Sequence, residues 1–183
     1  MSIAREQEQS AAQIIRKRRS ALIVKSGYVS LLLRVAFIVI IGWVLLTKVF
    51  IFTQVRGNEM FPALKDGDLV IGYRLQREYQ KNDTVIYQAD GEQKAGRLFG
   101  RETDVIMLDD SGTLLVNGTA QAGEILYPTY AKEGIAYPYT VPTDSVFILN
   151  DYRTEGKDSR DYGAIPRKDV KGKIITIIRR RGL

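Results

Sequence analysis

Hydrophobic positions change their rhythm once along this chain, and the change divides it. Residues 31–53 are apolar almost throughout, with only Arg34 and Lys48 interrupting them. About twenty helical residues at 1.5 Å each cross a hydrocarbon core of ~30 Å, so the run predicts one transmembrane helix over 31–53. The two charges lie near its ends, where their stems can reach the headgroups, and Trp43, Phe50 and Phe52 add bulk that can face lipid. A cleavable secretory signal fits less well, because the run is long, a tail of some thirty residues precedes it and no small-x-small site follows. Beyond residue 54 the pattern becomes one of short runs rich in β-branched and aromatic residues: Leu69 to Tyr73, Thr84 to Tyr87, Val105 to Leu108, Leu114 to Val116, Val146 to Leu149 and Lys173 to Ile178. Turn signals separate them, among them Asp66-Gly67-Asp68, Asp109-Asp110-Ser111-Gly112 and Asn117-Gly118. The expectation is a mostly β, antiparallel domain over 54–183, preceded by a basic tail at 1–30 and one helix.

Charge fixes the expected orientation. The chain has 183 residues and a formal charge of +6, with basic side chains gathered at Arg16-Lys17-Arg18-Arg19 and Lys25 before the helix and at Arg179-Arg180-Arg181 near the end. After the helix Arg56 is soon balanced by Glu59. The positive-inside bias then predicts a cytoplasmic N-terminus, a single pass through the cell membrane and an outer C-terminal domain. Residues Ala4 to Lys25 suit either an interfacial helix drawn to anionic lipid or a loosely ordered tail. Neither basic cluster is interleaved with the stacking aromatics that single-stranded nucleic acid requires, so lipid and not nucleic acid is the expected partner of these charges.

Composition narrows the chemistry. Cysteine and histidine are both absent, which excludes disulfides, thiolate or imidazole metal sites, and nucleophiles activated by histidine. No cofactor or metal is predicted. Asn117-Gly118-Thr119 fits a glycosylation sequon, but Asn-Gly is also a tight hairpin turn, which is the preferred reading. Tyrosine and proline concentrate from Tyr127 to Tyr139, and packing of this connection onto the domain is favoured over a role as a partner surface.

Three short boxes carry the functional signal. The first is Gly57-Asn58-Glu59-Met60-Phe61-Pro62-Ala63-Leu64. The second is Lys94-Ala95-Gly96-Arg97-Leu98-Phe99-Gly100-Arg101-Glu102-Thr103-Asp104. The third and most specific runs from Asn150 to Gly163 and holds Asp151, Arg153, Asp158, Ser159, Arg160 and Gly163. Together they resemble the boxes of type I signal peptidases, G-x-S-M-x-P-T-L, Y-x-K-R-x-I-G-x-P-G-D and G-D-N-R-x-x-S-x-D-S-R-x-x-G, and the likeness extends from about Val35 to the end of the chain.

That resemblance implies a peptidase fold with altered chemistry. Glu59 stands at the position of the family's serine nucleophile, Gly96 at that of its lysine base and Gly156 at that of a serine that orients the lysine, so no catalytic residue is expected. An acidic residue paired with a glycine at the first two positions is similar to the signal-peptidase-like accessory proteins (SipA type) encoded with Gram-positive pili. The implied role is that of a pseudoenzyme: a membrane-anchored, non-enzymatic factor or chaperone for sortase-dependent pilus assembly, binding pilin subunits or the sortase. The expected binding groove comprises Gly57, Asn58, Glu59, Met60, Phe61, Pro62, Gly96 and Arg97, and the expected brace Asp151, Arg153, Asp158 and Arg160. A bound segment would add as a strand. The rival expectation is a divergent, active membrane serine peptidase that recruits Lys94 and a hydroxyl such as that of Ser159. Two residues along a strand place Lys94 about 6.6 Å from the base position. A third reading is a structural membrane component without a groove ligand.

Overall fold

The computed structural model describes residues 27–121 and 127–179. The chain divides into two compact units, Met1–Leu46 and Thr47–Leu183. In the first, helix α1, Gly27–Lys48, is long and apolar enough to cross a membrane. The basic run at Arg16 to Arg19, Lys25 and the Ala4 to Lys25 segment lie outside the described residues.

The helix stops five residues earlier than the apolar run predicts. Phe50–Gln54 forms strand β1, antiparallel to β2, Leu69–Tyr73, with Phe50 opposite Tyr73 and Gln54 opposite Leu69. Aromatic and β-branched residues dominate Phe50-Ile51-Phe52-Thr53, which suits a pleated strand, and β2 pairs with one edge of it. Phe50 packs its ring against Tyr73, with centroids 6.2 Å apart. Phe50 and Phe52 therefore belong to the second unit and not to the apolar helix.

The remaining strands are β3, Thr84–Ala89; β4, Glu92–Gly100; β5, Val105–Leu108; β6, Leu114–Val116; β7, Thr119–Ala120; β8, Tyr139–Thr140; β9, Ser145–Leu149; β10, Ile165–Pro166; and β11, Val170–Ile178. A single helical turn, α2, Ser159–Tyr162, follows β9. All pairings are antiparallel. Seven strands form one sheet in the order β1-β2-β11-β3-β4-β9-β10, and four form another in the order β7-β6-β5-β8. The Asn117-Gly118 turn has φ of 53° and 75° and joins β6 to β7, the two positive angles that a two-residue hairpin requires.

Strand β4 is the element least visible in the sequence. It begins polar, contains Gly96 and Gly100, and ends with three consecutive buried residues, Leu98 to Gly100, so it has no simple alternation. Three apolar clusters hold the unit together. Tyr87, Leu98 and Ile148 belong to one, Phe99, Ile106 and Phe147 to a second, and Val55, Met60, Leu64, Val70 and Ile86 to a third beneath the first box.

Candidate functional site

The first box is a compact turn between β1 and β2. Gly57 N–H donates to Asp66 Oδ1 at 2.8 Å, Phe61 N–H to the Asn58 carbonyl at 2.9 Å and Leu64 N–H to that of Met60 at 2.8 Å. Met60 and Leu64 are almost fully buried in the third cluster. Burial of Met60 anchors the turn and leaves its neighbour Glu59 half-buried at the surface. The Tyr152 N–H donates to the Glu59 carbonyl at 2.8 Å, which ties this turn to the third box.

Glu59 occupies room that two glycines leave. A Cβ built on Gly57 would overlap Glu59 Oε2, and one on Gly156 would overlap Glu59 Cγ and lie 3.1 Å from Asn150 Nδ2. Both glycines have positive φ, 80° and 65°, a conformation that side chains also disfavour. The larger acidic residue at 59 and the glycine at 156 thus fit one another.

Gly96 faces the opposite side of β4, across from Val85. It is buried, and a Cβ there would overlap Ile148 Cγ2 and lie 3.0 Å from Tyr87 Cε1. The first carbon of a lysine side chain would therefore meet packed core. The Tyr87 hydroxyl is itself buried without a hydrogen-bond partner among the described residues, and its pKa is pushed far up, first by burial and then by the negative charge of Asp158. It stays a neutral phenol. Lys94 sits on β4 opposite Tyr87, with its amine 3.8 Å from the Glu92 carboxylate. Ser159 is wholly buried, and its Oγ accepts the Ile148 N–H at 2.9 Å. The fold gives these two residues separate partners.

The third box is a buried hydrogen-bond network. Asp158 caps α2: its Oδ1 accepts Arg160 N–H at 2.9 Å and Arg160 Nε at 3.0 Å, while Oδ2 accepts Arg160 Nη2 at 2.9 Å and Asn150 N–H at 3.1 Å. Asp158 and Arg160 are buried together. Arg160 also donates to the carbonyls of Arg153, at 2.6 Å, and Tyr130, at 3.2 Å. Asp151 accepts two bonds from Arg97, at 2.7 and 2.6 Å, in the forked geometry that makes arginine–carboxylate pairs strong. Arg153 differs. Only 2% exposed, it donates to Thr129 Oγ1 at 3.0 Å and lies 4.6 Å from the centre of the Phe99 ring, but its Nε has no partner. Burial lowers its pKa to about 10.

The tyrosine-rich connection packs onto this network. Tyr127 stacks on Tyr152 with centroids 4.4 Å apart, Tyr137 and Tyr139 join the second cluster, and the Tyr139 hydroxyl accepts Ala164 N–H at 3.1 Å. Lys132, a residue that no motif singles out, donates to the Gly156 carbonyl at 2.9 Å and to Asp161 Oδ2 at 2.8 Å. Burial opposes ionisation of Asp161, but the hydrogen bonds from Lys132 and from the Asp158 N–H outweigh it, so its pKa falls. Lys132 pins the Gly156 loop from 24 residues away, a contact without a signature in local spacing.

A groove of about 620 Å³ opens beside Glu59. Of the eight residues expected to form it, Gly57, Glu59 and Met60 do so, with Met60 as a buried floor. Asn58, Phe61, Pro62, Gly96 and Arg97 do not: Gly96 lies in the core behind β4, and Arg97 is engaged by Asp151. The other walls are Thr53 to Arg56 on one side and Gly91 to Ala95 on the other, with Asn150 and Lys157. Among the described residues no group of acidic side chains has the arrangement of a metal site.

An apolar helix long enough to cross a membrane thus precedes an antiparallel β unit in which all three boxes contribute to one groove. The profile of the family described as signal peptidase, peptidase S26, matches residues 28–178, and the chain belongs to that family. It is 30% identical over 138 residues to the probable thylakoidal processing peptidase 2, chloroplastic, of Arabidopsis thaliana, covering 67% of this chain and 36% of that protein's length. Signal peptidase IB of Staphylococcus aureus is 27% identical over 140 residues, covering 66% of this chain and 73% of its own. A signal peptidase I from Enterococcus faecalis V583, known from its crystal structure, aligns with a TM-score of 0.44 and 23% identity, covering 55% of this chain and 98% of that one.

Proposed function

We propose that this protein is a non-enzymatic signal-peptidase homologue, anchored by α1 with its β domain outside the cell, that assists sortase-dependent pilus assembly by holding a segment of the pilin or of the sortase. The observation that carries the reading is Gly96 at the base position with Tyr87 and Ile148 packed over it. In other serine hydrolases, loss of nucleophile or base costs about a million-fold in rate, or ~8 kcal/mol of barrier. Here both positions are changed. The rival active peptidase needs an amine beside a hydroxyl, whereas Lys94 lies near Glu92 and Ser159 accepts from Ile148. The basic run before the helix supports a cytoplasmic N-terminus.

Binding needs no catalytic group. Strand β1 is an edge of its sheet, and β4 pairs with β9 only from Arg97 onward, so the groove walls at Thr53–Gln54 and Gln93–Ala95 retain strand edges for an added strand. The test has two readouts. Purified full-length protein in detergent is expected to leave a signal-peptide substrate intact, and so is the Glu59→Ser, Gly96→Lys double variant, because the new lysine meets Ile148 and Tyr87. In the host, deletion is expected to abolish the ladder of covalent pilin polymers. Cleavage by the wild type that is lost in Lys94→Ala would replace this reading with the active peptidase, and an unchanged ladder would remove the pilus role.

A further inference from the structure

Among the polar side chains of the site, Glu59 stands apart. The carboxylates of Asp151, Asp158 and Asp161 each have an arginine or lysine partner within 3 Å. The Glu59 carboxylate has neither hydrogen bond nor ion pair among the described residues, although it is half-buried. The three cations that share its groove leave it unpaired. Lys94 lies 3.8 Å from Glu92, Lys157 lies 3.7 Å from Asp90, and Arg56 is exposed. Its backbone is nonetheless fixed by Tyr152, and its stem fits between Gly57 and Gly156. A negative charge is thus held in a defined place, partly buried and without a counter-ion among the described residues, in the lining of a groove walled by two strand edges.

From this we infer that Glu59 is the specificity-determining residue of the groove and takes the cationic side chain, lysine or arginine, of an extended peptide segment. The inference rests on the groove reading proposed above and names its ligand chemistry. An unbranched four-carbon stem can follow the apolar floor at Met60 while its ammonium group reaches the carboxylate. A charge-assisted hydrogen bond there replaces only partial hydration of Glu59, so the gain from pairing exceeds that of a surface ion pair. Flanking positions of the peptide meet Arg56, Lys94 and Lys157 and therefore favour neutral or acidic residues.

The test uses the full-length protein in detergent and three fluorescent eight-residue peptides of alternating valine and alanine, with lysine, norleucine or glutamate at one central position. Binding is read by anisotropy. The lysine peptide is expected to bind about tenfold or more tightly than the norleucine peptide, a difference of ~1.4 kcal/mol, and the glutamate peptide more weakly than either. Glu59→Gln, nearly isosteric and checked for an unchanged melting temperature, should bring the lysine and norleucine peptides to equal affinity. In the wild type the lysine preference should shrink as salt is raised from about 0.05 to 0.5 M. This salt measurement needs no variant. Equal binding of the lysine and norleucine peptides to the wild type would overturn the inference while leaving the groove reading intact. Failure of all three to bind would overturn both. A lysine preference that survives in Glu59→Gln would place the recognition elsewhere.

Discussion

The third box and the groove beside it lie within a few residues of one another, yet the fold treats their charges in opposite ways. Around Asp158 nearly every polar atom has an internal partner: the carboxylate accepts four bonds, and the Arg160 guanidinium bridges it to the backbones of Arg153 and Tyr130. At Glu59 the backbone is tied down and the carboxylate is left open. The contrast separates side chains that brace the turn from one that is held in place with its charge open.

Removing one member of the buried pair gives the largest expected effect on that contrast. Asp158→Ala or Arg160→Ala leaves an uncompensated buried charge and should destabilise the β unit by about 3–5 kcal/mol. Thermal melts of the full chain in detergent read this directly, and curves that match the wild type for both variants would show that the network is not a brace. Glu59→Gln, in the same assay, should hardly move the melt.

Arg153 divides the third box itself. It is as buried as Arg160 but, among the described residues, has no carboxylate within 4 Å and no partner for its Nε. Desolvation lowers its pKa to about 10, so it stays charged at neutral pH but is poorly compensated. Arg153→Met, which keeps the volume and removes the charge, should change stability by no more than about 1 kcal/mol, because a poorly compensated buried charge contributes little. A loss as large as that of Arg160→Ala would mean that the Thr129 and Phe99 contacts of Arg153 match a full ion pair.

The smallest effect is expected from the strap at the edge of the network. The folded-state pKa of Asp161 is depressed, so its bond with Lys132 adds stability above the ordinary carboxylate range and loses it as pH falls through the lowered value. Both side chains are a quarter or so exposed, 28% and 25%, which limits the contribution to roughly 0.5–1 kcal/mol. The difference in stability between wild type and Asp161→Asn should be present at neutral pH, shrink as pH falls through the ordinary carboxylate range and vanish only below the lowered folded-state value. A difference that is constant across this range would show that the carboxylate charge plays no part.

Features governed by local chemistry are legible in the chain. The apolar run marks the helix, β-branched runs mark β2, β5 and β6 at their observed limits, and Asn117-Gly118 marks a hairpin. Spacing alone groups Asp158, Ser159 and Arg160 on one turn. The end of the helix was misjudged because Phe50 to Thr53 is as apolar as the span before it, and only pairing with β2 makes it a strand. Tertiary structure alone decided the rest. Whether Gly96 faces groove or core depends on Ile148 from β9 and Tyr87 from β3, and the groove walls come from β1 and the β3–β4 turn. Lys132 reaches Gly156 from a distant connection, and Glu59 is open because Lys94 and Lys157 lie near other acids while Arg56 is exposed to solvent. These facts are settled by contacts between segments far apart in sequence, where side-chain direction and competition for partners fix the outcome and no local pattern records it.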